Sequence, residues 1–139
     1  MEIRLADMVA IATGRDDQKG LNSMRALLSA RLKSMGADVH ELAAAPRPAW
    51  ITQNDTGQIG SPTLVARRVQ GRSGPTLLIA GHMDTVHDPS GEFQKLSRLD
   101  DKRATGPGAA DMKGGLEVAL TVALSCSDAS IETGSSGIL

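Results

Sequence analysis

Thr76-Leu77-Leu78-Ile79-Ala80-Gly81 is a run of strand length that carries no charge and ends on a glycine. A run this apolar reads as a central strand buried on both faces, which requires a packed layer on either side of it. The neighbouring segments read as suitable layers. Ile3, Leu5, Met8, Val9 and Ile11 give residues 2–12 one apolar helical face. Leu21, Met24, Leu27, Leu28, Leu32 and Met35 recur at three- and four-residue steps, which predicts a helix over 19–35. Asp16 and Asp17 offer its N-cap and Gly36 its C′ residue. Residues 37–42 and 63–69 read as strands, with a loop rich in proline and glycine over 43–60. Residues 71–75 read as a hairpin-like connection, and 103–106 as a brief extended piece. From Met112 to Leu124 the chain is helical in pattern and so apolar that burial is expected. This order predicts an α/β domain, a mixed sheet flanked by helices. No internal repeat is evident.

The 139 residues suffice for one domain with its own core. Trp50 and Phe93 are the only aromatic residues, so aliphatic side chains and methionine must fill that core. Met8, Met24 and Met35 fall on the apolar helix faces, as core residues rather than ligands. With 40% apolar residues, 22% charged residues and a net charge of −1, the chain has neither a disordered composition nor the basic footprint of a nucleic-acid binder. No apolar stretch is long enough to span a bilayer. The single cysteine, Cys126, excludes an internal disulfide framework and a multi-cysteine metal cage, and no base partner marks it as a nucleophile. The opening Met1-Glu2-Ile3-Arg4 lacks the pattern of a signal peptide. These features predict a reducing, cytoplasmic setting.

His82-Met83-Asp84 follows the apolar run directly, at the strand end where α/β sheets gather their ligands. An imidazole binds zinc best when a carboxylate takes its other ring proton, and in extended chain Asp84 returns to the face of His82. On its own, His-x-Asp is common by chance. The second cluster runs from Gly106 to Gly115 and presents Asp111 in a glycine-flanked turn before a helix. Alone, it reads as an N-cap aspartate. It is not a phosphate loop, because Gly114 rather than Ser or Thr follows Lys113. Nor is it a dinucleotide fingerprint, because Asp111 stands where the third glycine belongs.

Taken together, Gly81-His82-Met83-Asp84-Thr85-Val86, Gly106-Pro107-Gly108 and Asp111-Met112-Lys113-Gly114-Gly115 resemble the zinc metallopeptidase family of carboxypeptidase G, acetylornithine deacetylase, succinyl-diaminopimelate desuccinylase and aminoacylase. The resemblance is nearest to the carboxypeptidase G branch and runs to about Leu124. It implies a partial zinc-exopeptidase-like catalytic domain and a metal-dependent hydrolase of peptide or acyl-amino-acid amide bonds. The implied cofactor is Zn2+, two per complete site, with Co2+ or Mn2+ as substitutes. His82 and Asp111 are the implied metal ligands, with Asp111 bridging the two ions. Asp84 is the implied catalytic-site carboxylate that clamps His82. A cis peptide is implied at Asp111-Met112. The implied substrate is a small peptide or an N-acyl amino acid, with neither nucleic acid nor membrane as partner. The parent protein is implied to dimerise through a domain these residues do not include.

The sequence also departs from that pattern. The family's Glu-Glu pair supplies the general base and a zinc ligand, and a further acid and a distant histidine complete its site. The local counterpart of the pair is Ile131-Glu132, and isoleucine cannot accept a proton. Glu132 reads more simply as a solvated residue of a tail. Residues 1–124 are therefore expected to be the N-terminal part of a metallopeptidase catalytic domain. Residues 125–139 are expected to be an irregular tail, truncated or out of frame. A chain so built is expected to be a very poor catalyst alone, and the alternative is an incomplete fragment that binds metal or partners without catalysis. His40, His87, Arg67-Arg68 and Lys102-Arg103 read as solvated surface.

Overall fold

A computed structural model describes residues 2–14, 17–45, 60–69 and 76–128. Helix α1 spans Glu2–Val9, α2 spans Gln18–Ser34 and α3 spans Gly114–Asp128. Strands β1 (Asp38–Leu42) and β2 (Thr63–Arg67) form one antiparallel ladder, with His40 opposite Val65. Strands β3 (Ser97–Arg98) and β4 (Ala104–Thr105) form a second, very short one.

Local chemistry accounts for the helix limits. The Asp17 carboxylate accepts the Gly20 N–H at 3.0 Å and caps α2, satisfying one of the donors that a helix start leaves open. Gly36 takes φ +77° directly after α2, the left-handed conformation expected of a C′ glycine. The Leu21, Met24 and Leu28 positions turn one face of α2 inward. Met8, Met24 and Leu28 are the buried centre of the core, and Leu64, Met83, Leu116 and Leu120 pack around them from β2, the chain after the apolar run, and α3.

Three sequence expectations need correction. The run from Thr76 to Gly81 pairs with no strand among the described residues, and Leu77 and Leu78 are 79% and 87% exposed. Burial on both faces needs a ladder partner on each edge and a layer above and below, and the described residues supply only part of one layer. Among the described residues the sheet is not mixed, since both ladders are antiparallel and the parallel pairing is an isolated bridge between Gly14 and Thr85. Helix α3 is not wholly buried, because Val118 and Val122 face outward. It also continues past Leu124 to Asp128. What holds is the coarser expectation of helices and strands in one α/β unit. Much of the 43–60 loop, the 71–75 connection and the tail with Glu132 lie outside the described residues.

A groove of about 680 Å³ opens between α2, β2, the apolar run and α3, with Leu28, Leu32, Leu64, Ile79 and Leu116 among its walls. Its rim reaches His82 and Asp84. Those two residues also border a smaller depression of about 200 Å³ shared with Gly108 and Asp111.

Candidate metal centre

His82, Met83 and Asp84 alternate as extended chain does. Met83 packs on the core, while His82 and Asp84 on either side of it stay exposed. The core therefore anchors the middle residue and offers its neighbours to solvent. Asp111 arrives from the other direction. The chain leaves β4 through Gly108, which takes φ +72° and lies so close to Thr85 that a Cβ would stand 2.6 Å from its Cγ2 atom. The wide turn 109–113 follows, with Asp111 (φ −130°, ψ 99°) and Met112 (φ −131°, ψ 32°) outside helical conformation. The peptide bond between them is cis, as the resemblance implies. The turn closes when the Lys113 N–H donates to the Gly108 carbonyl at 2.8 Å.

The two segments meet at the His82 ring. Nδ1 lies 3.1 Å from the Asp84 Oδ1 atom and 3.1 Å from the Asp84 carbonyl oxygen. Nε2 lies 3.0 Å from Asp111 Oδ1. Both partners of Nδ1 are acceptors, so Nδ1 carries the proton and Nε2 is the nitrogen left to hold a proton or a cation. Partial desolvation pulls the His82 pKa down. It is outweighed by the Asp111 hydrogen bond, the Asp84 backbone carbonyl and the charges of both carboxylates, which together raise the pKa above its ordinary value. Without another cation, the proton on Nε2 is what reconciles the ring with Asp111.

The sequence candidates His82, Asp84 and Asp111 are thus brought together, but on two sides of one ring. Asp84 and Asp111 sit on different nitrogens, so they do not face a common point. Among the described residues no group of three or more His, Cys, Asp or Glu side chains could hold a metal ion. His82 Nε2 and the Asp111 carboxylate are a suitable N,O donor pair for a dication. Tetrahedral zinc holds such donors about 2.0–2.2 Å from itself, hence about 3.4 Å apart, so the observed pair need open by only a few tenths of an ångström. Two donors leave a four-coordinate ion half satisfied. Asp111 is 86% exposed and could turn its second oxygen outward, as a bridging carboxylate must.

Of the residues expected on the solvated surface, His40, Arg67, Arg68, Lys102 and Arg103 are exposed, and His87 is partly covered. His87 meets the Phe93 ring edge-on at 5.2 Å and is half-buried, so it is not simply solvated. Arg68 donates to the Ala123 carbonyl at 3.3 Å and ties the end of β2 to α3. His40 is exposed on β1, as expected. Three features were missed. Met112 accepts the His82 N–H through its thioether at 3.3 Å, and its Cε atom lies 2.8 Å from where a Cβ on Gly81 would be. Glu117 is buried in the apolar helix and pairs with Arg31 at 3.0 Å and Arg4 at 3.9 Å. Lys113 is only 1% exposed, donates from Nζ to the Ile11 carbonyl at 2.8 Å, and is pushed down to about pKa 8 by desolvation. A charged residue on the apolar face of α3 was a legible signal for Glu117. Nothing local marked Met112 or Lys113, whose partners lie 30 and 102 residues away.

Known proteins share this stretch of sequence. The chain is 33% identical over 116 residues to carboxypeptidase G2 of a Pseudomonas species, which covers 84% of the chain and 25% of that relative. It is 39% identical over 95 residues to the succinyl-diaminopimelate desuccinylase of Gluconacetobacter diazotrophicus, covering 65% of the chain and 21% of that relative. The desuccinylase of Leptothrix cholodnii is 36% identical over 106 residues, covering 72% of the chain and 24% of the relative. No family model matches the chain. The chain spans about a quarter of the length of the curated relatives it matches.

Proposed function

From the premise that this chain is a homologue of carboxypeptidase G2 and the succinyl-diaminopimelate desuccinylases, we propose that it carries the first part of the metal site of a zinc-dependent hydrolase. The observation that carries this reading is the His82 ring held between Asp84 on Nδ1 and Asp111 on Nε2. Asp84 fixes the tautomer and makes Nε2 more basic, as carboxylate partners of ligating histidines do. Nε2 and Asp111 are the groups that hold the ion, and the exposed face of Asp111 is available to a second one. A dication held there would supply polarisation of a scissile carbonyl and acidification of a water. The complete protein then cleaves the amide bond of a small peptide or N-acyl amino acid, acts in the cytoplasm and dimerises through residues outside this chain.

For the 139 residues by themselves, metal binding without turnover is the better reading. The observation that favours it is that His82 Nε2 and Asp111 are brought together as a donor pair, while among the described residues no group of three or more His, Cys, Asp or Glu side chains could hold a metal ion. The test is a cobalt titration of the apo chain followed by absorption spectroscopy, with a peptidase and deacylase assay at saturating metal. One bound ion that is lost in His82→Ala and in Asp111→Asn, with turnover at background, is expected. No specific binding, or binding in both variants equal to that of the wild type, would sink the site assignment. Turnover near that of a full-length enzyme would overturn the non-catalytic reading.

A further inference from the structure

We propose that Lys113 is a positioning residue that braces the Asp111 turn and the His82–Asp84 segment against one stretch of backbone, the α1–α2 connection from Ile11 to Gly14. The proposal rests on the metal-site reading above for its functional meaning, but its geometry stands alone. Lys113 Nζ donates to the Ile11 carbonyl at 2.8 Å. Two residues further on, the Thr13 carbonyl accepts the Thr85 N–H at 2.7 Å, and Gly14 forms a parallel bridge with Thr85. Thr85 is the residue after Asp84, and Lys113 is two residues after Asp111. One short connection therefore holds both metal-bearing segments.

The bracing is closed on its inner side as well. The Lys113 stem packs along Gly108, where a Cβ would come within 3.2 Å of Cδ, and Gly108 in turn packs on Thr85. Thr13, Thr85 and Lys113 are all buried. An ammonium buried with one carbonyl partner is a cost to folding that an apolar side chain of the same length would not carry. What the lysine adds is a directional bond with a fixed reach. That bond sets where the turn sits, and so where the Asp111 carboxylate meets Nε2 of His82.

The test compares wild type, Lys113→Met and Lys113→Arg by two readouts, amide hydrogen exchange of the metal-free protein and cobalt binding. In Lys113→Met, exchange at positions 109, 113 and 114 is expected to rise at least tenfold, while the second half of α3 is unchanged. Cobalt affinity is expected to fall about tenfold or more, in the range seen when a ligand's supporting contact is removed, with an altered visible spectrum. Lys113→Arg, which keeps a donor, is expected to recover both in part. Unchanged exchange in Lys113→Met overturns the brace. Faster exchange with unchanged cobalt affinity and spectrum overturns the positioning role. If the wild type binds no cobalt, the metal-site reading fails and the exchange result alone decides the brace. Should Lys113→Met not fold, Lys113→Gln, polar but one bond too short for Ile11, is read by the same criteria.

Discussion

A carboxylate at each ring nitrogen makes His82 the residue on which the rest of the site turns. Asp84 and Asp111 act on it differently, because one polarises Nδ1–H and the other competes for whatever sits on Nε2. Asp84→Asn should weaken cobalt binding about 10- to 100-fold without removing a ligand, and isothermal titration against His82→Ala separates the two cases. Lys113 makes a second prediction at this scale. Its folded pKa lies near 8, below the ordinary lysine value of 10.5. Between those values the unfolded chain binds the proton more readily, so this lysine makes stability rise as pH increases through that window. Urea melts from pH 7.5 to 10.5 should show the wild type gaining on Lys113→Met, which has no such group. A constant difference across that window would show that the buried amine keeps the ordinary lysine pKa in the folded protein.

Among the elements, α1, α2 and α3 are joined by charge as well as by apolar packing. Glu117 on α3 is buried and faces Arg31 of α2 and Arg4 of α1, with Asp7 of α1 3.7 Å from Arg31. Removing the buried member of such a pair takes away its charged hydrogen bond and leaves the partner charges behind, here Arg31 and the more exposed Arg4. Glu117→Ala should cost about 2 kcal/mol, the scale of a lost hydrogen bond to a charged group. Denaturant unfolding measures it, and Glu117→Ala melting with the wild type would mean the pair adds nothing net. These contacts matter to function because α3 begins at the Asp111 turn. Arg68, just past β2, ties down its later turns, Glu117 its first turn, and Lys113 its start.

At the scale of the molecule, the apolar run after residue 75 has its side chains in solvent. Leu77, Leu78 and Ile79 are exposed beside a groove that is itself lined by leucines. A patch of that kind promotes association as concentration rises. Sedimentation velocity over a hundredfold concentration range should show larger species, and Leu78→Lys should shift the distribution back toward monomer. A chain that stays monomeric throughout would mean that the run is covered in solution. Among the described residues no helix is long and apolar enough to cross a membrane.

The periodicity of residues 2–12, 19–35 and 112–124 was enough for the three helices, because a helix closes its hydrogen bonds within the segment that encodes it. The same locality made the Gly36 stop and the pairing of His82 with Asp84 legible, since two residues in extended chain return to one face. The combination of motifs was likewise enough to name the relatives. Sheet membership was not, because a strand is completed by partners elsewhere. The apolar run therefore looks like a central strand in sequence and stands unpaired among the described residues. Only the tertiary structure decided that Asp84 and Asp111 sit on opposite nitrogens of one ring, that Glu117 is buried against two arginines, and that Lys113 reaches back 102 residues to Ile11. Those are contacts between distant segments, and no local pattern encodes the distance at which they meet.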